Sequence, residues 1–477
     1  MKDVATHIAL RRFGLGGRPG DAARIAADPR GYVEAQLADP SRAHLESPEL
    51  RPSTEILREV LLAQKELRLQ RKKDANAAAS REQGSSPSSP GQNGVAPVKG
   101  RPDVNPVTIL IRDALELDLG ARHARARDSD QPFLERLVSF WSAHFAVALR
   151  KGGVVRPVVG AYEREAIRPN VLGRFADMLS AVVHHPAMLM YLDNNASTGP
   201  MSPAGRRRSR GLNENLAREL MELHTLGVDG GYTQNDVTNL ARILTGWTVI
   251  GANEKDGEPG RFKFAANRHE PGRFVLLGKT YGGRGIEDGE QAIADLARHP
   301  STARHIARKL ASHFIADNPP ESLVKRLAAT FRKTDGNLKE VTFELVKSKE
   351  AWATPPRKVV PPADFLTSLE RGFGVQFKPQ EWRRLSAALG QPIWDPPSPK
   401  GWPDEDDAWM GPAAVRERLR IAEFVARRIG VRPDPRALAR ELMGDALSPA
   451  TAKAIDRAEA AQQGIELLVM SPEILRR

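Results

Sequence analysis

The segment NENLARELMELH, residues 213–224, concentrates the polar chemistry of this sequence. At ~100° per residue, Asn215, Arg218, Glu219 and Glu222 fall on one narrow helical stripe, at i, i+3, i+4 and i+7. Leu216, Leu220 and Leu223 fall opposite, and His224 lies inside that apolar arc. Turned toward a cavity, Glu219 and Glu222 would be acid–base groups, because two neighbouring buried carboxylates do not both ionise cheaply. Arg218 would then hold an anionic substrate group by a two-pronged contact. Turned toward water, the same stripe is a set of i,i+4 ion pairs, Glu214–Arg218 and Arg218–Glu222. Spacing alone leaves both readings open. The following segment repeats the arrangement, with Asn235, Asn239 and Arg242 at i, i+4 and i+7 and Trp247 just beyond. A short loop makes the two helices antiparallel neighbours, so Asn239 and Arg242 are expected to share a space with Asn215 and Glu219.

Other residues could serve a site. His144 sits on the apolar stripe of its helix, between Trp141 and Phe145. There it is either a hydrogen-bonded core residue or an acid–base group. His269, beside Glu270, is expected on a loop with reach toward a pocket. Asp193 and Asn194 open a polar run after an apolar segment, which either caps the chain or lines a pocket mouth. Trp394, Trp402 and Trp409 lie among prolines, as packing covers or as a stacking platform. The sequence has no His-Glu-x-x-His, no Gly-x-Ser-x-Gly and no di-iron Glu-x-x-His pair, so no metal ligands are assigned and the cofactor stays open. Gly278-Lys279-Thr280 is not a phosphate loop, because position 273 is Arg and Tyr281-Gly282-Gly283 follows in place of a helix.

These groups need elements to hold them. The 477 residues carry 71 Lys and Arg against 59 Asp and Glu, a net charge of +12. The absence of cysteine excludes disulfide scaffolds, iron–sulfur clusters and cysteine nucleophiles. The basic residues are scattered and do not alternate with aromatics, so a nucleic-acid platform is not favoured. No apolar run approaches the ~18–20 residues of a membrane helix, and the start lacks an apolar signal core. No membrane partner and a cytoplasmic location are therefore expected. Periodicity predicts an all-α, mainly helical multi-helix bundle with a small β-hairpin excursion around residues 261–279. Four regions are expected. Residues 1–70 form a helical region, and residues 71–106 a disordered low-complexity insertion with three valines as its only large apolar residues. Residues 107–352 form the central helical core, and residues 353–477 a Pro- and Trp-rich segment with helices. Thr233-x-x-Asp236 predicts a capping box, and Gly227 a helix stop.

Several segments together resemble one family, the bacterial domain-of-unknown-function family numbered 1800. They are LRRFGLGGRPGD from Leu10, FWSAHF from Phe140, HPAMLMYLDNNAS from His185, NENLARELMELHTLG from Asn213 and GGYTQNDVTNLARILTGW from Gly230. HPSTA from His299, Lys309-Leu310 and Gly401-Trp402-Pro403 complete the set in order. In the hairpin region the family favours His-Asp where this chain has His269-Glu270. The resemblance implies a helical fold, a bacterial source and a partner, a sulfatase-like protein of the family numbered 1501. It implies no activity. Two functions follow as expectations. One is an enzyme with an enclosed Asn/Arg/Glu pocket for acid–base chemistry on a polar or anionic small molecule or sugar. The other is a non-enzymatic binding or assembly protein acting with the sulfatase-like partner.

Overall fold

Prolines start many of the helices. Pro132, Pro300, Pro362 and Pro412 each occupy a first helical turn, where the missing N–H costs nothing and the fixed φ fits the helix. The structure is a computed structural model that describes residues 2–84, 105–208, 211–254, 257–429 and 433–477. The protein is mainly helical, with two small antiparallel two-stranded sheets. Among the described residues no helix is long and apolar enough to cross a membrane.

The helical region expected to end at residue 70 runs on, in a helix from Ser53 to Gly84, into the segment read as disordered. Its extension, rich in Ala, Lys, Arg and Gln, has high helix propensity and needs no core contact to persist as an extension of a docked helix. Residues 85–104 of that insertion lie outside the described residues. The next helix, Pro106–Asp128, is capped by the Asn105 side chain.

The β excursion is two hairpins. β1 (Trp247–Val249) pairs with β2 (Phe262–Phe264), and β3 (Phe274–Leu276) pairs with β4 (Lys279–Tyr281). Leu277 and Gly278 both have positive φ, as a two-residue hairpin turn requires. The Gly-Lys-Thr sequence is therefore the turn and start of a strand.

Two buried apolar clusters form the core. The larger spans Ile8 to Trp352, and the smaller runs from Val360 to Leu475 and includes Leu119. Trp394 packs against both and so marks the seam between them. Helix Pro132–His144 and helix Pro300–Phe314 face this seam from the larger cluster, and residues 391–409 cross it.

Candidate functional site

The two polar stripes do not meet. The segment expected as one α-helix is α-helical only over Asn215–Glu219 and becomes a π-helix over Leu220–His224. The wider turn shifts every later residue off the 3.6-residue wheel. Asn215 is exposed, and Arg218, Glu219 and Glu222 are half-buried. Arg218 donates to Glu214 and Gln234 at 3.0 Å each, and Glu214 also accepts from Thr238 at 2.7 Å. Glu214 thus joins the two helices at the surface. Partial burial and the neighbouring Glu222 raise the Glu219 carboxyl above its ordinary value.

Asn239 and Arg242 turn to β3 and not to Asn215 and Glu219. Asn239 donates to the Val275 carbonyl at 2.8 Å and accepts from Arg242 at 3.0 Å, and the Arg242 guanidinium lies 5.6 Å from the Phe274 ring centre. The expectation of a shared enclosed space is corrected by these contacts: the hairpin offers a free carbonyl edge and a ring that both side chains take. Asn194 is buried and donates to the Leu244 and Trp247 carbonyls at 3.2 and 3.0 Å. Asp193, at φ +59°, pairs with Lys151 at 2.7 Å. Trp247 is buried against His184 and Phe262. His269 Nδ1 is 3.0 Å from the Thr245 carbonyl, and Glu270 accepts from the Met201 backbone N–H at 2.8 Å. Asn194→Ala is therefore expected to cost about 1–3 kcal/mol in urea unfolding, because two buried carbonyls lose their donor. Arg218→Ala, at a solvent-screened pair, should change stability by less than about 0.5 kcal/mol. A large loss in Arg218→Ala would place that stripe inside the protein after all.

His144 belongs to a different constellation. It lies in a cavity of about 120 Å³ at the seam, together with Phe140, Lys309, Trp394, Trp402 and Trp409. Such a volume takes several water molecules, and hence a small organic molecule. The segments that carry the family resemblance meet here: FWSAHF supplies His144, and GWP closes over it. Gly401 has φ +86°, and a Cβ there would stand 2.0 Å from the Ala143 carbonyl oxygen, so only glycine lets this strap approach the end of the helix. Trp394 also has positive φ, +53°. Its carbonyl accepts from Leu149 N at 2.9 Å and its indole N–H donates to Glu163 at 3.1 Å, which hold the strained residue on the cavity wall.

Hydrogen bonding fixes the His144 tautomer. Nε2 is 3.1 Å from the His224 carbonyl, which can only accept, so Nε2 carries the proton. Burial, reinforced by the positive charge of Lys309, holds His144 well below its ordinary pKa. The neutral ring therefore keeps its lone pair on Nδ1, which has no hydrogen-bond partner. His224 and His305 surround it, their rings 5.9 and 6.2 Å away. Burial lowers them to about 3 and about 4, so all three are neutral at pH 7.

Lys309 lines the same cavity, and among the described residues its ammonium makes no ion pair or hydrogen bond. Desolvation is the main force lowering it to about 8, with Asp404 opposing and Lys400 assisting. The carboxylates of the wall are already engaged. Asp404 accepts from His313 at 3.0 Å and Arg477 at 2.9 Å, and Asp364 pairs with Arg136 at 3.2 Å. Arg122, also on the wall, is bound to Glu163 at 2.9 Å. The cavity therefore presents uncompensated positive charge and indole faces, beside a neutral imidazole whose unpartnered Nδ1 is buried. Outside it, an open groove of about 980 Å³ shares Ile393 and is lined by Arg156, Lys378, Arg383 and Arg384. Its acids, Glu381 and Asp395, are paired with Arg428 and Arg150. The groove thus attracts anions to the surface beside the cavity.

Of the expected polar and acid–base residues the cavity takes only His144, together with the three tryptophans Trp394, Trp402 and Trp409. Lys309 has a signature in the sequence: His305, Lys309 and His313 recur at i, i+4 and i+8, an ionisable stripe on an otherwise amphipathic helix. Glu163 and Asp404 have none, since their role comes from partners far away in the chain. Among the described residues no group of three or more His, Cys, Asp or Glu is placed to hold a metal ion. No curated protein and no solved structure matches the chain. A family model described as "Protein of unknown function (DUF1800)" matches residues 8–476. The chain, matched over nearly its whole length, belongs to that family.

Proposed function

We propose that the cavity at the seam is the active centre of an enzyme that performs acid–base chemistry on a small anionic molecule. The observation that carries this reading is an unpartnered ammonium on Lys309 in a cavity that the neutral His144 ring also lines. Lys309 and Lys400 supply the field that draws the anion. Lys309, lowered to about 8, exchanges a proton with it, and the indoles of Trp402 and Trp409, 6.2 Å apart, cover its apolar part.

A thermal-shift screen of small carboxylates and phosphates tests this reading. A ligand should raise the melting temperature, and Lys309→Met should weaken its binding by about 10- to 100-fold, the worth of one charge-assisted hydrogen bond. Equal ligand effects in both proteins, or no response to any anion, would remove the cavity as the site.

A second reading keeps Glu219 and Glu222 as the acid–base pair, supported by the raised Glu219 carboxyl. Glu219→Gln would then abolish turnover with the anion still bound at Lys309. The non-enzymatic alternative, assembly with a sulfatase-like partner, requires co-purification of that partner and no turnover of any ligand found.

A further inference from the structure

We propose that Lys309 is an imine-forming lysine, which condenses with a small aldehyde or ketone bearing an anionic group, such as a 2-oxo acid. The inference rests on the cavity being the active centre and names the substrate class it accepts.

A lysine acts as a nucleophile only when its amine loses a proton near neutral pH, and desolvation beside other cations brings this about. Lys309 meets both conditions by its position. It lines the cavity at the seam, half-buried, with Phe140, the indoles and Lys400 on the same wall. The groups that face it are His144, His224 and His305, all neutral, and Asp404, which His313 and Arg477 already occupy. Glu405 is the other acid that acts on it, and Glu405 is exposed. No carboxylate therefore fixes Lys309 as a permanent ammonium. With a value of about 8, it holds on the order of a hundredfold more free amine at pH 7 than an ordinary lysine.

The chemistry balances without an oxidant or a cofactor. The Lys309 ammonium releases a proton to water, and the freed amine forms the N–C bond to the carbonyl carbon. A second proton passes from nitrogen to oxygen as the carbinolamine forms. A proton from water then accompanies the hydroxyl as it leaves as water, so that the proton released at the start is recovered. The product is a protonated imine and one water. The positive charge of the ammonium survives in the iminium, so the anionic group of the ligand keeps its counter-charge. The small volume of the cavity suits a ligand of a few carbons.

The test uses the full chain. Protein is incubated with pyruvate or glyoxylate and cyanoborohydride, which reduces an imine to a stable amine, and the modified lysine is located by peptide mass mapping. One adduct at Lys309, formed about tenfold or more faster than at any other lysine, is the expected result. Lys309→Arg should abolish that adduct in protein that melts normally. Adducts spread over surface lysines with Lys309 unmodified would overturn the proposal, and mapping the unaltered protein gives this answer even if the variant does not fold. Lactate and propionate, which carry the anion without the carbonyl, separate the two claims. If they bind at the cavity and no adduct forms with the 2-oxo acids, the imine is excluded and the anion site stands. If nothing binds and no adduct forms, both fall.

Discussion

Replacing Glu163 by alanine is expected to lower the stability of the protein by about 3 kcal/mol, because Arg122 loses its counter-charge in a buried site while Arg168 keeps Glu135 at 2.9 Å. The Glu163 side chain is 3% exposed and bridges Arg122 at 2.9 Å and Arg168 at 3.2 Å. Burial alone would raise its carboxyl, but the two arginines and the Trp394 and Arg122 hydrogen bonds outweigh burial and bring it down to about 2. The sign follows from this direction. The contribution of Glu163 is complete above the ordinary carboxyl value of 4.5 and is lost as pH falls toward about 2. The alanine variant should also release Trp394, whose indole N–H donates to Glu163 at 3.1 Å, and so change tryptophan fluorescence and ligand binding at the cavity. Glu163→Gln keeps an acceptor for that indole and should lose stability while sparing the Trp394 signal. Urea unfolding followed by fluorescence reads both effects. A loss below about 1 kcal/mol in Glu163→Ala would mean that water reaches the arginines.

The second large effect is acid destabilisation centred on the histidines around the cavity. His144, His224 and His305 are neutral in the folded protein because burial holds each below the ordinary 6.5. In the unfolded chain they take up protons as pH falls below 6.5, so the unfolded state binds more protons over that range and stability drops with it. The loss begins near 6.5 and continues down to about 4 for His305 and about 3 for His224. At pH 5 each group costs up to about 2 kcal/mol, at about 1.4 kcal/mol per pH unit. Urea midpoints at pH 7.5 and pH 5 measure this difference. His224→Leu sharpens the test: neither ring nitrogen of His224 has a partner, so an apolar replacement sacrifices no hydrogen bond of the side chain. The variant should be close to wild type at pH 7.5 and less sensitive to acid. An unchanged pH slope in His224→Leu would show that His224 is protonated, or wet, in the folded state.

Particular residues show which parts of this protein can be read from its order of amino acids. Thr233 and Asp236 form the expected capping box, and a helix follows over Gln234–Ile243. Phe262 and Lys279 lie in strands within the excursion expected around residues 261–279. These are local matters of cap chemistry and side-chain period. The turn over Leu220–His224 was not readable, because a π-helix keeps the same residues and changes only which carbonyl each N–H reaches. The extension of the Ser53–Gly84 helix was missed because helix propensity, and not apolar content, sustains it.

The family, the helical class and the Thr233–Asp236 capping box were legible in the order of residues, because each depends on residues close together in the chain. Tertiary structure decided the site. His144, Lys309 and Trp402 are brought together from three distant segments, and only their packing decides which charges find partners and which ammonium is left facing a cavity with none.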